Sequence, residues 1–137
     1  MSGYLIDTNI ISELRKQRRN AGVVQWFERA DETDLYLSVL VLGEIRMGIE
    51  RLRTKDPVAA NALSHWLTLL RSRYREKILP VDEAVCDCWG ELSAKQPLPA
   101  IDGLLAATAL VHQMTLVTRN VDDFKRTGAK CLNPFEQ

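Results

Sequence analysis

The stretch that decides the fold is residues 99–124, PAIDGLLAATALVHQMTLVTRNVDDF. Its first half predicts a helix that is apolar almost all round, because Ile101, Leu105 and Leu110 are joined by alanines on the remaining faces. A helix of this kind is buried in a protein core. Residues 115–118, TLVT, predict a short strand directly after it. This buried helix and the buried strand after it are the starting point for predicting the rest of the fold.

The only charged residue inside that predicted helix is Asp102, in its first turn. A buried carboxylate without a partner is costly, so Asp102 is protonated, hydrogen-bonded at the helix start, or bound to a cation. Asn120, Asp122 and Asp123 follow the strand. The stretch therefore places acidic and amide side chains at a helix start and at a strand end.

Short apolar runs elsewhere predict four more strands, at residues 4–6, 35–37, 78–79 and 131–132, with helical segments between them. Strands that alternate with helices indicate an α/β fold, with a small parallel sheet flanked by helices on both faces. The sequence contains no internal repeat and no long linker. We therefore expect residues 1–137 to form a single domain.

Composition favours a soluble protein of the cytoplasm. The 137 residues are 46% hydrophobic and 26% charged with a net charge of zero, so charge alone does not indicate a nucleic-acid partner. Three cysteines and no signal-peptide pattern predict free thiols in a reducing compartment. No apolar run reaches the roughly 20 residues of a membrane span. The cysteine and histidine spacings do not fit a zinc site.

Acidic residues recur where the predicted strands end. Asp7 ends the first strand, Glu44 lies on the helix after the second, and Asp102 and Asp123 flank the fourth. The carboxyl ends of parallel strands meet at one edge of a sheet, so we expect these side chains to share a crevice. Carboxylates so close together repel one another unless a cation is present, and hard oxygen ligands suit Mg²⁺ or Mn²⁺. Such a site activates water for in-line attack on a phosphodiester.

Each of these features also has a purely structural interpretation. Asp7 could simply cap the following helix, since Asp, Thr and Asn are all cap formers. Glu44 could pair with Arg46 or with another basic group at the edge of the core. The basic clusters at residues 15–19 and 71–77 could be solvated helix faces rather than phosphate-binding strips.

Four motifs in register resemble the PIN domain, and more particularly the toxin subunits of bacterial VapBC-type toxin–antitoxin pairs, including the FitB-like branch. They are Asp7-Thr8-Asn9, SVLVLGE ending at Glu44, AIDGLLAA around Asp102, and TRN at residues 118–120 with Asp123-Phe124. The resemblance covers residues 4–135. It implies the PIN fold and a ribonuclease that depends on Mg²⁺ or Mn²⁺.

The resemblance also implies roles for individual residues. Asp7, Glu44 and Asp102 would hold the metal ion directly or through water. Three polar side chains from the first and last motifs would support the metal site: Asn9, Thr118 and Asn120.

One position departs from the family pattern. Many members carry an Asp where this chain has Asn120, which leaves open whether the site holds one ion or two. The fourth catalytic acid would then be Asp123, preferred over Asp122 because it precedes Phe124 as in the family.

The partners implied by the resemblance are an RNA substrate, a second copy of the chain in a homodimer, and a VapB- or FitA-like antitoxin. The antitoxin would insert a C-terminal segment near the acidic pocket and would make the only contact with operator DNA. The apolar helices at residues 23–27 and 40–49 are candidates for its groove. No membrane is implied.

Two other classes of function compete with this one. A phosphatase of the haloacid dehalogenase type needs a second carboxylate two residues after the first, and this chain has Asn9 there. A non-catalytic PIN-like interaction module would use the acids only as helix caps. Buried charges that cost stability argue against this second alternative.

Overall fold

Five short parallel strands form the centre of the protein in the computed structural model, which describes residues 3–136. The order is β3 (Ile78–Leu79), β2 (Leu35–Ser38), β1 (Tyr4–Ile6), β4 (Thr115–Val117) and β5 (Cys131–Leu132). In the register of the central strands, Tyr4 lies opposite Leu35 on one side and Thr115 on the other. The predicted α/β architecture with a parallel sheet is confirmed.

The connections between strands are helical, as parallel strands require. The helices are α1 (Thr8–Glu13), α2 (Ala21–Arg29), α3 (Val39–Arg53), α4 (Pro57–Arg73), α5 (Glu83–Lys95) and α6 (Ala100–His112). A 3₁₀ helix, Val121–Thr127, leads from β4 towards β5. Helix α4 ends at Arg73, and residues 75–77 form a separate 3₁₀ turn.

Both faces of the sheet are covered, because alternate strand residues point to opposite sides. Ile6 packs in a core with α1, α2, α3 and α4, while its neighbour Leu5 packs with α6 and Phe124 on the other face. Strands that are buried on both faces read as continuous apolar runs, which is why the short runs were recognisable in the sequence.

Helix starts are fixed by the polar residues that follow strands or loops. The Ser38 hydroxyl accepts a hydrogen bond from the Leu40 N–H at 3.0 Å, and Asp82 accepts one from the Val85 N–H at 3.0 Å. Such caps satisfy N–H groups that have no partner inside the helix. Ser38 thereby begins α3 directly after β2, at the carboxyl edge of the sheet.

The cysteines Cys86, Cys88 and Cys131 are all free thiols, as expected. Within residues 3–136, no helix combines the length and the apolar character needed to cross a membrane.

Candidate active site

Asp7 is the most buried carboxylate of the predicted site, with 8% of its surface exposed. It follows β1 and caps α1, where its Oδ1 accepts a hydrogen bond from the Thr8 N–H at 2.7 Å. Its Oδ2 accepts one from the Thr118 hydroxyl at 2.8 Å and one from the Asn9 amide at 3.2 Å. The capping interpretation is therefore correct, and the same carboxylate is also held by two side chains from the predicted site.

The electrostatics of Asp7 are dominated by its burial. Burial raises the pKa of Asp7 above its ordinary value, and the hydrogen bonds from Thr118 and Thr8 offset only part of this effect. The negative charges of Glu44 and Asp102 raise the pKa further. Three of the predicted acids thus lie within electrostatic reach of one another.

Glu44 is tied to the same corner by Thr8, whose hydroxyl donates to Glu44 Oε1 at 2.6 Å. Thr8 consequently bridges two carboxylates, Asp7 through its N–H and Glu44 through its hydroxyl. The alternative pairing with Arg46 or another basic group is wrong. Arg46 forms its ion pair with Glu50 at 3.3 Å, and none of the ion pairs among the described residues includes Glu44. The helical repeat places Arg46 and Glu50 on the same side of α3.

Asp102 lies in the first turn of α6 and is half-buried. Burial is the main cause of its raised pKa, and the charges of Asp123 and Glu44 add to it. Asp123 thus lies near Asp102, whereas Asp122 forms an ion pair with Lys125 at 3.0 Å. This placement is the one expected from the sequence, while the part that Asp123 plays in the chemistry stays a prediction.

The supporting residues join the start of α1 to the end of β4. The fully buried Thr118 hydroxyl, which donates to Asp7, also accepts a hydrogen bond from the Asn120 N–H at 3.1 Å. Asn9 Oδ1 accepts one from the Arg119 N–H at 3.1 Å. The contact that Asn120 makes with Thr118 is therefore made by its backbone.

Two residues of the site had no role assigned from the sequence. Thr8 belongs to the Asp7-Thr8-Asn9 motif, but its hydrogen bond to Glu44 depends on how α1 packs against α3. Arg119 lies over the ring of Phe135, 4.4 Å from its centre, and its carbonyl accepts a hydrogen bond from Asn133 at 3.4 Å. The Asn-Pro-Phe sequence at residues 133–135 therefore holds the loop after β4 in place.

The donor chemistry fits a hard divalent cation. The available ligands are carboxylate, hydroxyl and amide oxygens, which suit Mg²⁺ or Mn²⁺. Within residues 3–136, no three His, Cys, Asp or Glu side chains form a ready-made metal cage. Mg²⁺ commonly keeps several waters and binds through one or two carboxylates, so such a cage is not required.

Comparison with known proteins agrees with the sequence motifs. Toxin FitB of Neisseria gonorrhoeae is 31% identical over 96% of this chain and 97% of its own length. The VapC ribonuclease Y4jK of Sinorhizobium fredii is 29% identical over 96% of this chain and 97% of its own. The crystal structure of FitAcB from Neisseria gonorrhoeae matches with a TM-score of 0.89 at 30% identity, over 98% of this chain and 99% of that chain.

The family model of the PIN domain matches residues 4–130, which include Asp7, Glu44, Asp102 and Asp123. Since sequence motifs, fold and family model agree over nearly the whole length, this chain belongs to the PIN domain family.

Proposed function

We propose that this protein is an endoribonuclease that depends on Mg²⁺ or Mn²⁺, and that it is the toxin of a VapBC-type toxin–antitoxin pair. The observation that carries the proposal is the group of four acids at the carboxyl edge of the sheet: Asp7, Glu44, Asp102 and Asp123. None of the ion pairs among the described residues uses any of the four. A cation is the partner that such a group lacks.

Asp7, Asp102 and Glu44 would hold the ion, directly or through water, with Asp123 as the fourth acid of the site. A bound divalent ion lowers the pKa of its water and neutralises charge on the phosphodiester that is attacked. RNA is the proposed substrate because the relative Y4jK is a VapC ribonuclease.

The chain's own residues prepare this site by fixing carboxylate orientation. Thr118 and Asn9 donate to Asp7 Oδ2, and Thr8 N–H donates to Oδ1, so the whole Asp7 carboxylate is held in one orientation. Thr8 orients Glu44 in the same way. Residues that orient metal ligands commonly contribute 10- to 100-fold to affinity or activity.

The test is cleavage of a mixed RNA pool by purified protein that carries no co-purified partner, with Mg²⁺ or Mn²⁺ added. We expect cleavage that EDTA abolishes and that Asp7→Asn removes, since the amide keeps the shape of Asp7 without its charge. Asp122→Asn is the matched control, because Asp122 already has a partner in Lys125, and it should cleave like wild type.

Two results would contradict the proposal. Full activity in Asp7→Asn would exclude Asp7 from the chemistry. Absence of both cleavage and metal binding, the latter measured by calorimetry, would favour the non-catalytic interaction module.

The proposed antitoxin site is an apolar groove between α1, α2 and α4, with a volume of about 360 Å³. Val24 and Phe27 line it, as expected for the helix at residues 23–27, whereas the buried side chains of residues 40–49 belong to the core. Arg19 and Arg73 also line the groove. Helix α1 begins beside the four acids, and its residue Ile11 and the following Leu14 line the groove. A bound segment that follows α1 would therefore reach the site.

We further propose that the toxin is a homodimer in the cytoplasm and that it meets operator DNA only through the antitoxin. A second apolar surface lies beside Glu44, where Val39, Met47 and Ile101 are 39%, 47% and 40% exposed. It is the candidate surface for the second copy. The three free cysteines suit a reducing compartment.

A further inference from the structure

Helices α5 and α6 approach each other very closely at Gly103. A Cβ atom added to Gly103 would lie 3.0 Å from Cδ1 of Trp89 and 3.1 Å from its Nε1. Gly43, Gly48 and Gly90 are also helical, but a Cβ there would meet no atom within 4 Å. The absence of a side chain at residue 103 is therefore what lets the Trp89 ring lie directly against the backbone of α6.

The Trp89 ring contributes van der Waals packing at this contact rather than a hydrogen bond. Its Nε1 is buried and has no hydrogen-bond partner among the described residues. Buried polar groups are normally hydrogen-bonded, so the ring is held by packing against its surroundings. The edge of the indole ring that faces Gly103 limits how closely the start of α6 can approach α5.

The contact falls next to Asp102, in a helix turn that has no side-chain cap. Pro99, the residue at the N-cap position, makes no capping hydrogen bond, and the turn is closed by the Gly103 N–H bonded to the Pro99 carbonyl at 2.9 Å. Most other helix starts in this chain are fixed by an acidic or amide cap, as at Asp7 and Asp82. At α6, packing against Trp89 takes that place.

We propose that Trp89 is a positioning residue for the acid group: through its contact with Gly103 it sets where Asp102 lies relative to Asp123 and Glu44. This inference rests on the proposed function, in which Asp102 holds the metal ion. A shift of the first turn of α6 by a few tenths of an ångström would displace the Asp102 carboxylate without unfolding the helix.

Gly103→Ala tests this directly. We expect the variant to melt cooperatively, because alanine favours the helix, and to bind Mn²⁺ about tenfold more weakly than wild type in an electron paramagnetic resonance titration. In the RNA cleavage assay, kcat should fall with little change in KM. Gly90→Ala is the matched control, since it makes the same change on α5 in open space, and it should bind Mn²⁺ like wild type.

A double variant separates positioning from general disruption. Trp89→Leu removes the ring atoms that a Cβ at residue 103 would meet, so in the double variant Gly103→Ala should cost no Mn²⁺ affinity beyond that already lost in Trp89→Leu. Trp89→Leu alone should weaken Mn²⁺ binding, because the contact of the ring with Gly103 is lost. This variant serves as the test if Gly103→Ala does not fold. Additive losses in the double variant would contradict a direct contact.

Crystal structures of wild type and Gly103→Ala give a readout that needs no metal. A first turn of α6 displaced away from Trp89 is the expected result. An Asp102 that stays in place, or Mn²⁺ affinity in Gly103→Ala equal to that of Gly90→Ala, would overturn the role of Trp89. If wild type binds no Mn²⁺ and cleaves no RNA, the proposed function fails instead, and the displacement still decides whether Trp89 positions Asp102.

Discussion

At the scale of single residues, the Thr118 hydroxyl makes two hydrogen bonds beside the predicted acids. It is fully buried, donates to Asp7 Oδ2 and accepts from the Asn120 N–H. A hydroxyl can do both at once, whereas a methyl group can do neither. One side chain thus links the end of β4 to the carboxylate that follows β1.

Thr118→Val removes this hydroxyl while keeping the shape of the side chain. We expect a loss of stability of about 1–2 kcal/mol, because a hydrogen bond to a buried charged group is lost. The affinity for Mn²⁺ should fall by about 10- to 100-fold, since Asp7 would no longer be oriented. Urea unfolding and calorimetric titration measure the two effects.

Thr108→Val is the matched control for that experiment. Thr108 is also fully buried, but its hydroxyl donates to the Leu104 carbonyl inside α6 at 2.8 Å. Unchanged metal affinity in Thr118→Val, or an equal loss in both variants, would show that the Thr118 hydroxyl does not support a metal site.

At the scale of elements, Glu13 connects the end of α1 to the start of α2. It is only 5% exposed; its Oε2 accepts a hydrogen bond from the Asn20 N–H at 2.9 Å, and its Oε1 pairs with Lys16 at 2.9 Å. The hydrogen bond from Lys16 is the main reason that the pKa of Glu13 is lowered, and the Asn20 N–H adds to it. The loop at residues 15–19 is therefore closed by a buried carboxylate.

Glu13→Gln should destabilise the protein by about 1 kcal/mol at neutral pH, since a charge-assisted bond becomes a neutral one. A lowered pKa means that ionised Glu13 stabilises the fold above its ordinary pKa of 4.5, and that this stabilisation is lost as the pH falls below it. The difference in unfolding free energy between wild type and Glu13→Gln should thus shrink from pH 5 to pH 3. A difference that is constant with pH would refute the role of the charge.

Gln113 at the end of α6 and Gly128 after the 3₁₀ helix both have positive φ, and substitutions at these two positions test how far helix ends depend on backbone conformation. Gln113 caps this helix in the left-handed region with φ of 56°, which costs a residue that has a Cβ. Gln113→Gly should therefore raise stability, by about 0.5–1 kcal/mol. Gly128 has φ of 83° with open space around it, so Gly128→Ala should lower stability for the same reason. Denaturant unfolding with effects of equal sign in both variants would contradict this explanation.

At the scale of the whole molecule, the four clustered acids lower the stability of the folded state locally, and the packing of the rest of the fold holds them together. Two apolar cores, one on each face of the sheet, hold the helix starts and strand ends that bring the acids together. Like charges placed close together store unfavourable energy, which a bound cation relieves. The proposed metal binding should therefore be coupled to stability.

Mg²⁺ or Mn²⁺ should raise the melting temperature, because the ion binds only the folded state. At a hundredfold excess over the Kd, the gain is about 2.7 kcal/mol, or about 10 °C for a chain of this size. Asp102→Asn in EDTA should melt at or above the wild-type temperature, since one of the mutually repelling, half-buried charges is removed, and it should lose most of the metal response. A scanning calorimeter measures both, and a wild-type melting temperature that ignores millimolar metal would contradict the coupling.

Much of this architecture can be predicted from local features of the sequence. The runs at residues 4–6 and 35–37 are apolar because their strands are buried on both faces, and Ser38 and Asp82 start helices through bonds to residues two or three positions on. The order of the acids after strands also predicted that Asp7, Glu44 and Asp102 would meet at one edge. Such signals depend on near neighbours and on the general geometry of parallel sheets, which one chain reveals.

Only the tertiary structure decided how the acids are held. Thr118 reaches Asp7 across 111 positions of sequence, and Thr8 reaches Glu44 across 36. The pairing of Arg46 with Glu50 and the contact of Trp89 with Gly103 likewise depend on side-chain directions and on how closely two helices pack. Apolar pattern determines which segments are buried, but hydrogen bonds between distant residues require exact relative placement of strands and helices, which is set when the whole core packs.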